Sequence, residues 1–271
     1  MLKLLFLLVS LSTIIFANTY YAKIEPYEVR DIFSNAAGEV VYVDENMLGK
    51  RLSKKAFIRI DDTLNRDELK SVKEKIAYFE MTLENDEKIL ENLKESLRRK
   101  KENFHRIESL SIKSKVEKDR EFYNVVSSEN SYLATRKEVN SLQANLSDLK
   151  LRQEQLLKTI HDKSITANGF LLYGLKVKPA MVVNIGTPLA RVADISRGII
   201  TIYLDKSDLH DYKDMIVYID GKRTHYRLGR VIPVADTNNI SRYRAQIVVD
   251  APKYFSQLVK IELKKEQNAK K

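Results

Sequence analysis

Cysteine is absent from this 271-residue chain. That excludes disulfides, thiolate metal sites and a lipid attached to cysteine behind an export signal. Glycine and proline are scarce as well, 8 and 5 residues, and none falls between residues 63 and 161. Such a stretch offers no turn or kink signal over its length and favours continuous helix. The four histidines, His105, His161, His210 and His225, are scattered, without paired-ligand spacing or a Ser/His/Asp arrangement. The five methionines, Met1 among them, form no thioether cluster. No catalytic residue, metal site or cofactor is expected, and the chain reads as a non-enzymatic part.

A sustained apolar run occurs only at residues 4–17, broken by Ser10, Ser12 and Thr13. Lys3 precedes it and the small Ala17 closes it, so residues 1–17 are expected to be a secretory signal peptide, with the mature chain starting near Asn18. Fourteen or so residues fall short of the roughly twenty that a membrane helix needs; a retained anchor is the alternative. The expected compartment is therefore the periplasm, with the protein free or associated with the inner membrane. Lysine and arginine outnumber acids by 47 to 37, a formal charge of +10. An exported chain rarely meets nucleic acid, and its bases alternate with acids along the helical stretch, so no nucleic-acid partner is expected. Two places are locally basic: Arg98-Arg99-Lys100-Lys101 with His105-Arg106, and the lysine-rich end from Lys260.

What the chain does have is a heptad. One core position holds Leu69, Ile76, Leu83, Leu90, Leu97 and Phe104, the other Val72, Phe79, Asp86, Leu93, Lys100 and Ile107. This is a coiled-coil seam. Asp86 and Lys100 read as solvated defects in it. A second seam runs Val125, Tyr132, Val139, Leu142, Leu146, Leu149, Leu156 and Ile160, with Ser128, Thr135 and Gln153 as weak positions. The polar Ser109-Leu110-Ser111-Ile112-Lys113-Ser114-Lys115 between them is the reversal point, which predicts two antiparallel arms of roughly 65 Å each. Asp62 or Thr63 is the expected cap at the start.

Two short β-rich segments flank this insertion and resemble each other. The first contains Ala37-Gly38-Glu39-Val40-Val41-Tyr42-Val43, Gly49 and Phe57-Ile58-Arg59-Ile60; the second contains Asn168-Gly169-Phe170-Leu171-Leu172-Tyr173 and Val183 through Gly186-Thr187-Pro188 to Asp194. Neither is long enough to bury a core alone, so they should pair across the insertion. Further short strands at Ile199, Met215, Gly229 and Tyr243 suggest a small antiparallel barrel, to which residues 20–32 add a strand. The expected class is α+β: a split, half-repeat lipoyl-like β domain interrupted by a long antiparallel α-helical coiled-coil hairpin, then a small antiparallel β-barrel domain. The expected divisions are 1–17 signal, 18–62 first barrel strand and first half, 63–161 hairpin with its tip at about 109–116, 162–196 second half, 197–263 barrel and 264–271 an unstructured basic tail.

From about Tyr27 to Pro252 this order resembles the HlyD-type periplasmic adaptor family, or membrane fusion proteins. Gly186-Thr187-Pro188-Leu189-Ala190-Arg191-Val192-Ala193-Asp194 resembles the close of that family's second lipoyl half. Tyr203-Leu204-Asp205-Lys206-Ser207-Asp208-Leu209 resembles the entry to its barrel, and Gly229-Arg230-Val231-Ile232-Pro233 through Asp250-Ala251-Pro252 a run within it. The resemblance implies an adaptor of a tripartite efflux or secretion system, linking an inner-membrane transporter to a TolC-type outer-membrane channel, with several copies forming a ring. Members that dock such channels carry an Arg, a Leu, an aliphatic and a Ser at the hairpin tip; Arg106, Leu110 and Val116 match, and Glu117 stands where Ser is usual. Arg106, Leu110, Val116 and Glu117 are thus the implied partner-binding residues. The first half departs from the family at its turns, where Leu48 or Gly49 meets the first turn glycine one residue out of step and Lys54 or Lys55 replaces the second glycine. Two other readings stand beside this one. A structural periplasmic coiled-coil protein would need no transporter, and a biotin- or lipoyl-carrier domain would use Ser53-Lys54-Lys55-Ala56, which lacks an acid before the lysine.

Overall fold

The computed structural model describes residues 18–210, 212–235 and 242–265. The expected signal at 1–17, the turn at 236–239 and residues 266–271 of the tail lie outside the described residues. In chain order the elements are β1 (Asn18–Phe33), β2 (Gly38–Val43), β3 (Ile58–Ile60), α1 (Thr63–Glu108), α2 (Lys115–Asp162), β4 (Ser164–Ile165), β5 (Leu171–Leu175), β6 (Val182–Val183), β7 (Pro188–Leu204), β8 (Met215–Ile219), β9 (Lys222–Arg223), β10 (Arg230–Ala235), β11 (Tyr243–Asp250) and β12 (Leu258–Lys265).

The two half-repeats do close on each other. β2 pairs with β6 and β3 with β4, both antiparallel. The Val40 N–H donates to the Met181 carbonyl at 2.8 Å, Gly49 to Leu172 at 2.9 Å and Leu52 to Phe170 at 2.7 Å. Val40, Phe57, Ile58 and Ile60 of the first half share one core with Leu172, Val183, Leu189 and Val192 of the second. Gly49 takes the left-handed conformation, φ +75°, that a side chain would resist. The glycine missing at Lys54–Lys55 is replaced by a different turn, in which the Lys55 N–H donates to the Ser53 hydroxyl at 3.2 Å.

The barrel sheet runs β10-β11-β7-β1-β12-β8-β9 among the described residues. Inward side chains from β1, β7, β8, β11 and β12 all meet in one core, including Ile24, Ile200, Leu204, Val217, Ile247 and Ile261. Strands several places apart in a flat sheet could not touch, since neighbours lie about 4.8 Å apart, so the sheet curls round. Two expectations need correction. The division at 196/197 falls inside β7, a single strand whose Leu189 and Val192 belong to the half-repeat core and whose Ile200 to Leu204 belong to the barrel core. The basic tail does not begin at Lys264: Lys264 and Lys265 end β12, paired with Ile216 and Met215, and the alternation Val259, Ile261, Leu263 was a strand pattern masked by its lysines. The start of β1 is tied to the barrel by the buried Asp208, which accepts from the Asn18 amide and the Tyr20 hydroxyl, each at 2.6 Å. Burial first, then the Asp208 carboxylate, pushes the Tyr20 phenol well above its ordinary value.

The helical arms hold 46 and 48 residues, about 70 Å each. The apolar residues of both expected seams are buried or half-buried. Near the base Val72, Ile76, Leu146 and Leu156 form a continuous core. Lys100 is exposed, as expected of a solvated seam position, and its ammonium also reaches across to the buried Ser128 hydroxyl, to which it donates at 3.0 Å. The first arm occupies the expected cap position with Asp62, but Asp62 makes no capping bond. Asp61 instead accepts from the Thr63 N–H at 3.1 Å and from its hydroxyl at 2.6 Å.

Candidate functional site

The far end of the hairpin is built by short-range bonds. α1 stops at Glu108, where the Ser109 hydroxyl donates to the Arg106 carbonyl at 2.8 Å and the Leu110 N–H to the Ile107 carbonyl at 3.2 Å. Ser114 then starts α2. Its hydroxyl accepts from the Glu117 N–H, while the Glu117 carboxylate accepts from the Ser114 N–H at 3.0 Å, a reciprocal capping box. The Lys113 ammonium lies 3.2 Å from Glu117. Across the reversal the Lys118 ammonium donates to the Glu108 carbonyl at 2.8 Å and closes the turn against both arms. The donors of Ser114 and the Lys113 charge hold the Glu117 carboxyl below its ordinary range.

Of the four residues implied for partner contact, the structure brings Arg106, Leu110 and Val116 to the apex as exposed side chains. Glu117 is different. Both of its oxygens are occupied by its own capping box and Lys113, so it is a structural cap. The pattern Ser114-x-x-Glu117 before a helix carried that signal in the sequence. A residue outside the implied set belongs to the apex: Ile112 is 86% exposed, an aliphatic in a polar turn with no seam to fill. The neighbouring basic run is also less available than its charge suggests. Arg98 pairs with Glu95 and Glu102, Arg99 with Glu95, and Lys101 with Glu129 of the other arm. Arg106 and Lys115 carry no ion pair among the described residues.

Just below the apex, Phe104 of α1 stacks at a tilt on Phe122 of α2, ring centres 5.9 Å apart, and Phe122 touches Tyr123 edge-on at 5.7 Å. Among the described residues no group of three His, Cys, Asp or Glu side chains could hold a metal ion, and no helix is long and apolar enough to cross a membrane.

No family model and no curated protein matches the chain. Solved structures do match. MacA from Actinobacillus actinomycetemcomitans superposes with a TM-score of 0.69 at 18% identity, over 93% of this chain and 79% of that one. The membrane fusion protein Spr0693 from Streptococcus pneumoniae R6 gives 0.60 at 9% identity, over 92% of this chain and 100% of that one. A MacA–MexA chimera carrying the Pseudomonas aeruginosa MexA α-hairpin domain gives 0.58 at 15%, over 92% and 82%. This chain therefore has the fold of the membrane fusion proteins: an α+β base split by a long helical hairpin.

Proposed function

We propose that this protein is a periplasmic adaptor that links an inner-membrane transporter to an outer-membrane channel in an efflux or secretion system. The observation that carries the reading is the hairpin itself. A rod of about 70 Å stands on a base whose two halves are locked by backbone bonds, and it ends in a rigid turn with exposed Leu110, Ile112 and Val116. Rigid reach with an apolar end is what a bridging part needs, and nothing in the site performs chemistry. The base and barrel face the transporter on this reading, while Arg106, Leu110 and Val116 meet the channel. One rod encloses no conduit, so several copies pack side by side in a ring. Crosslinking in cells with the transporter present or deleted tests the role: a transporter-linked species is expected only when the transporter is present, and its persistent absence overturns the reading. Leu110→Asp and Arg106→Asp are expected to abolish export with helix content and thermal stability nearly unchanged, because exposed tip residues contribute little to folding. Unchanged export in both removes tip docking.

A further inference from the structure

The ladder between β1 and β7 ends at Ile24↔Ile200, although β1 begins at Asn18 and β7 runs on to Leu204. Before that point β1 pairs instead with β12, from Asn18↔Leu263 to Lys23↔Leu258. The two strands therefore part, and a cleft of about 460 Å³ opens on the outer face of the barrel where they do. Alternation decides what lines it. Ala22, Ile200, Ile202 and Leu204 point into the core, so Tyr21, Lys23, Thr201 and Tyr203 point out. Arg244, opposite Tyr203 on β11, and Leu258, opposite Lys23 on β12, close the two sides. All of these but Leu258 carry hydrogen-bond donors. Lys23 and Arg244 stand on opposite sides of β7, and neither has an ion pair among the described residues. Glu25, at the end where the ladder resumes, is the single acid of the lining. On the adjoining β12, Glu262 is already taken by Lys260 and Lys264.

We propose that this cleft binds the anionic headgroup of a membrane phospholipid and so lays the outer face of the barrel against a bilayer. Lys23 and Arg244 take the phosphate, and the hydroxyls of Thr201 and Tyr203 donate to its oxygens. Tyr21 and Leu258 enter the boundary between headgroups and chains, where a tyrosine keeps its ring in apolar surroundings and its hydroxyl wet. Three observations select this occupant. The two cations are uncompensated, so the ligand carries negative charge. Beside them Tyr21 is 69% and Leu258 65% exposed, apolar surface that a free inorganic anion would leave in water and a lipid covers. The chain outside the described residues also ends at Asn18, three positions before Tyr21 on the same strand. Its apolar run at 4–17, as export signal or as anchor, brings that end of β1 to a membrane. The lysine-rich end of a second copy has the wrong sign to fill the cleft. The inference goes beyond the adaptor reading, since it requires neither transporter nor channel.

The chain has no tryptophan, so Tyr21→Trp places a single fluorophore at the rim of the cleft, and Leu258→Trp repeats the reading from the other wall. The chain as cells export it is titrated with vesicles of phosphatidylglycerol and phosphatidylcholine in equal parts, with phosphatidylcholine vesicles, and with inorganic phosphate. A blue shift that weakens with added salt is expected from the mixed vesicles, and none from the other two. Lys23→Gln and Arg244→Gln, made in the same background, should each raise the lipid concentration for half the shift about fivefold, and together about 25-fold. Lys54→Gln with Lys55→Gln removes equal charge from the base and should leave it unchanged. Equal weakening by that pair overturns the cleft in favour of net charge. A shift with inorganic phosphate overturns the lipid as the source of the anion. An equal shift with neutral vesicles overturns the headgroup contact, and no shift with any of the three overturns the proposal outright. None of these outcomes touches the adaptor reading, which stands or falls on the transporter crosslink.

Discussion

At Glu117 a charged side chain that reads as a surface contact turns back onto its own helix. Its carboxyl is held below its ordinary 4.5 by the Ser114 backbone, the Ser114 hydroxyl and Lys113, in that order. A depressed folded value means the cap is fully present above pH 4.5 and is lost as the pH falls through the lower folded value. Amide exchange at the start of α2 should quicken on acidification in that window in the unaltered chain and not in Glu117→Gln. Ser114→Ala should weaken the same turn by about 1 kcal/mol, read as faster exchange at neutral pH. Gly198 makes a second prediction of this kind. A Cβ there would lie 2.6 Å from Ile24 Cγ2 and 2.8 Å from Val249 Cγ2, methyls on stiff β-branched stems. Gly198→Ala should cost about 1–3 kcal/mol and lower the melting temperature, leaving helix content intact.

Among the elements, the hairpin draws its register from polar groups as much as from its seam. Glu68 with Arg152, Glu80 with Lys150 and Lys101 with Glu129 pair across the arms, all partly exposed and individually weak. Lys100 and Ser128 differ in sitting at core positions of facing arms, where a mismatched register would leave the Ser128 hydroxyl buried without its donor. Replacing both by leucine should raise the thermal stability of the hairpin, by about 1–2 kcal/mol from the apolar area gained, while loosening the preference for a single register. Lys100→Ala alone should lower stability, because it leaves the buried Ser128 hydroxyl without its donor. A double-mutant cycle monitored by helix circular dichroism separates the two effects.

Over the whole molecule, two long strands decide how the parts hold together. β1 pairs with β12 at one end and β7 at the other, and β7 carries residues of both β cores, so base and barrel share continuous backbone and no linker intervenes. The hairpin is attached differently. Its two ends leave from neighbouring strands, where the Ile60 N–H donates to the Lys163 carbonyl at 2.9 Å and the Lys163 ammonium to the Asp61 carbonyl at 2.7 Å. Excising residues 63–162 and joining the ends with a short glycine-serine turn should therefore leave a folded β protein. A cooperative thermal transition with strand-type circular dichroism is expected. An unfolded product would show that the arms stabilise the base.

Periodicity made the hairpin and its two seams legible, because a heptad in a stretch free of glycine and proline has one economical solution. The half-repeats were legible for a related reason: two fragments too small to fold alone must pair. Three features depended on what lies far away in the chain. Lys100 reads as a solvated position and is one, but only the other arm shows that its ammonium also meets the buried Ser128 hydroxyl. The lysines of β12 look like a tail until β1 and β8 supply strands on both sides. β7 looks like two segments until a single twisted sheet carries it from one core to the other. Glu117 belongs to neither group, since its cap was written in Ser114-x-x-Glu117 and was outweighed by its place beside Val116. Local pattern decides which elements form, because their bonds are local; partners across a seam or a sheet are chosen by packing, and only the folded chain contains it.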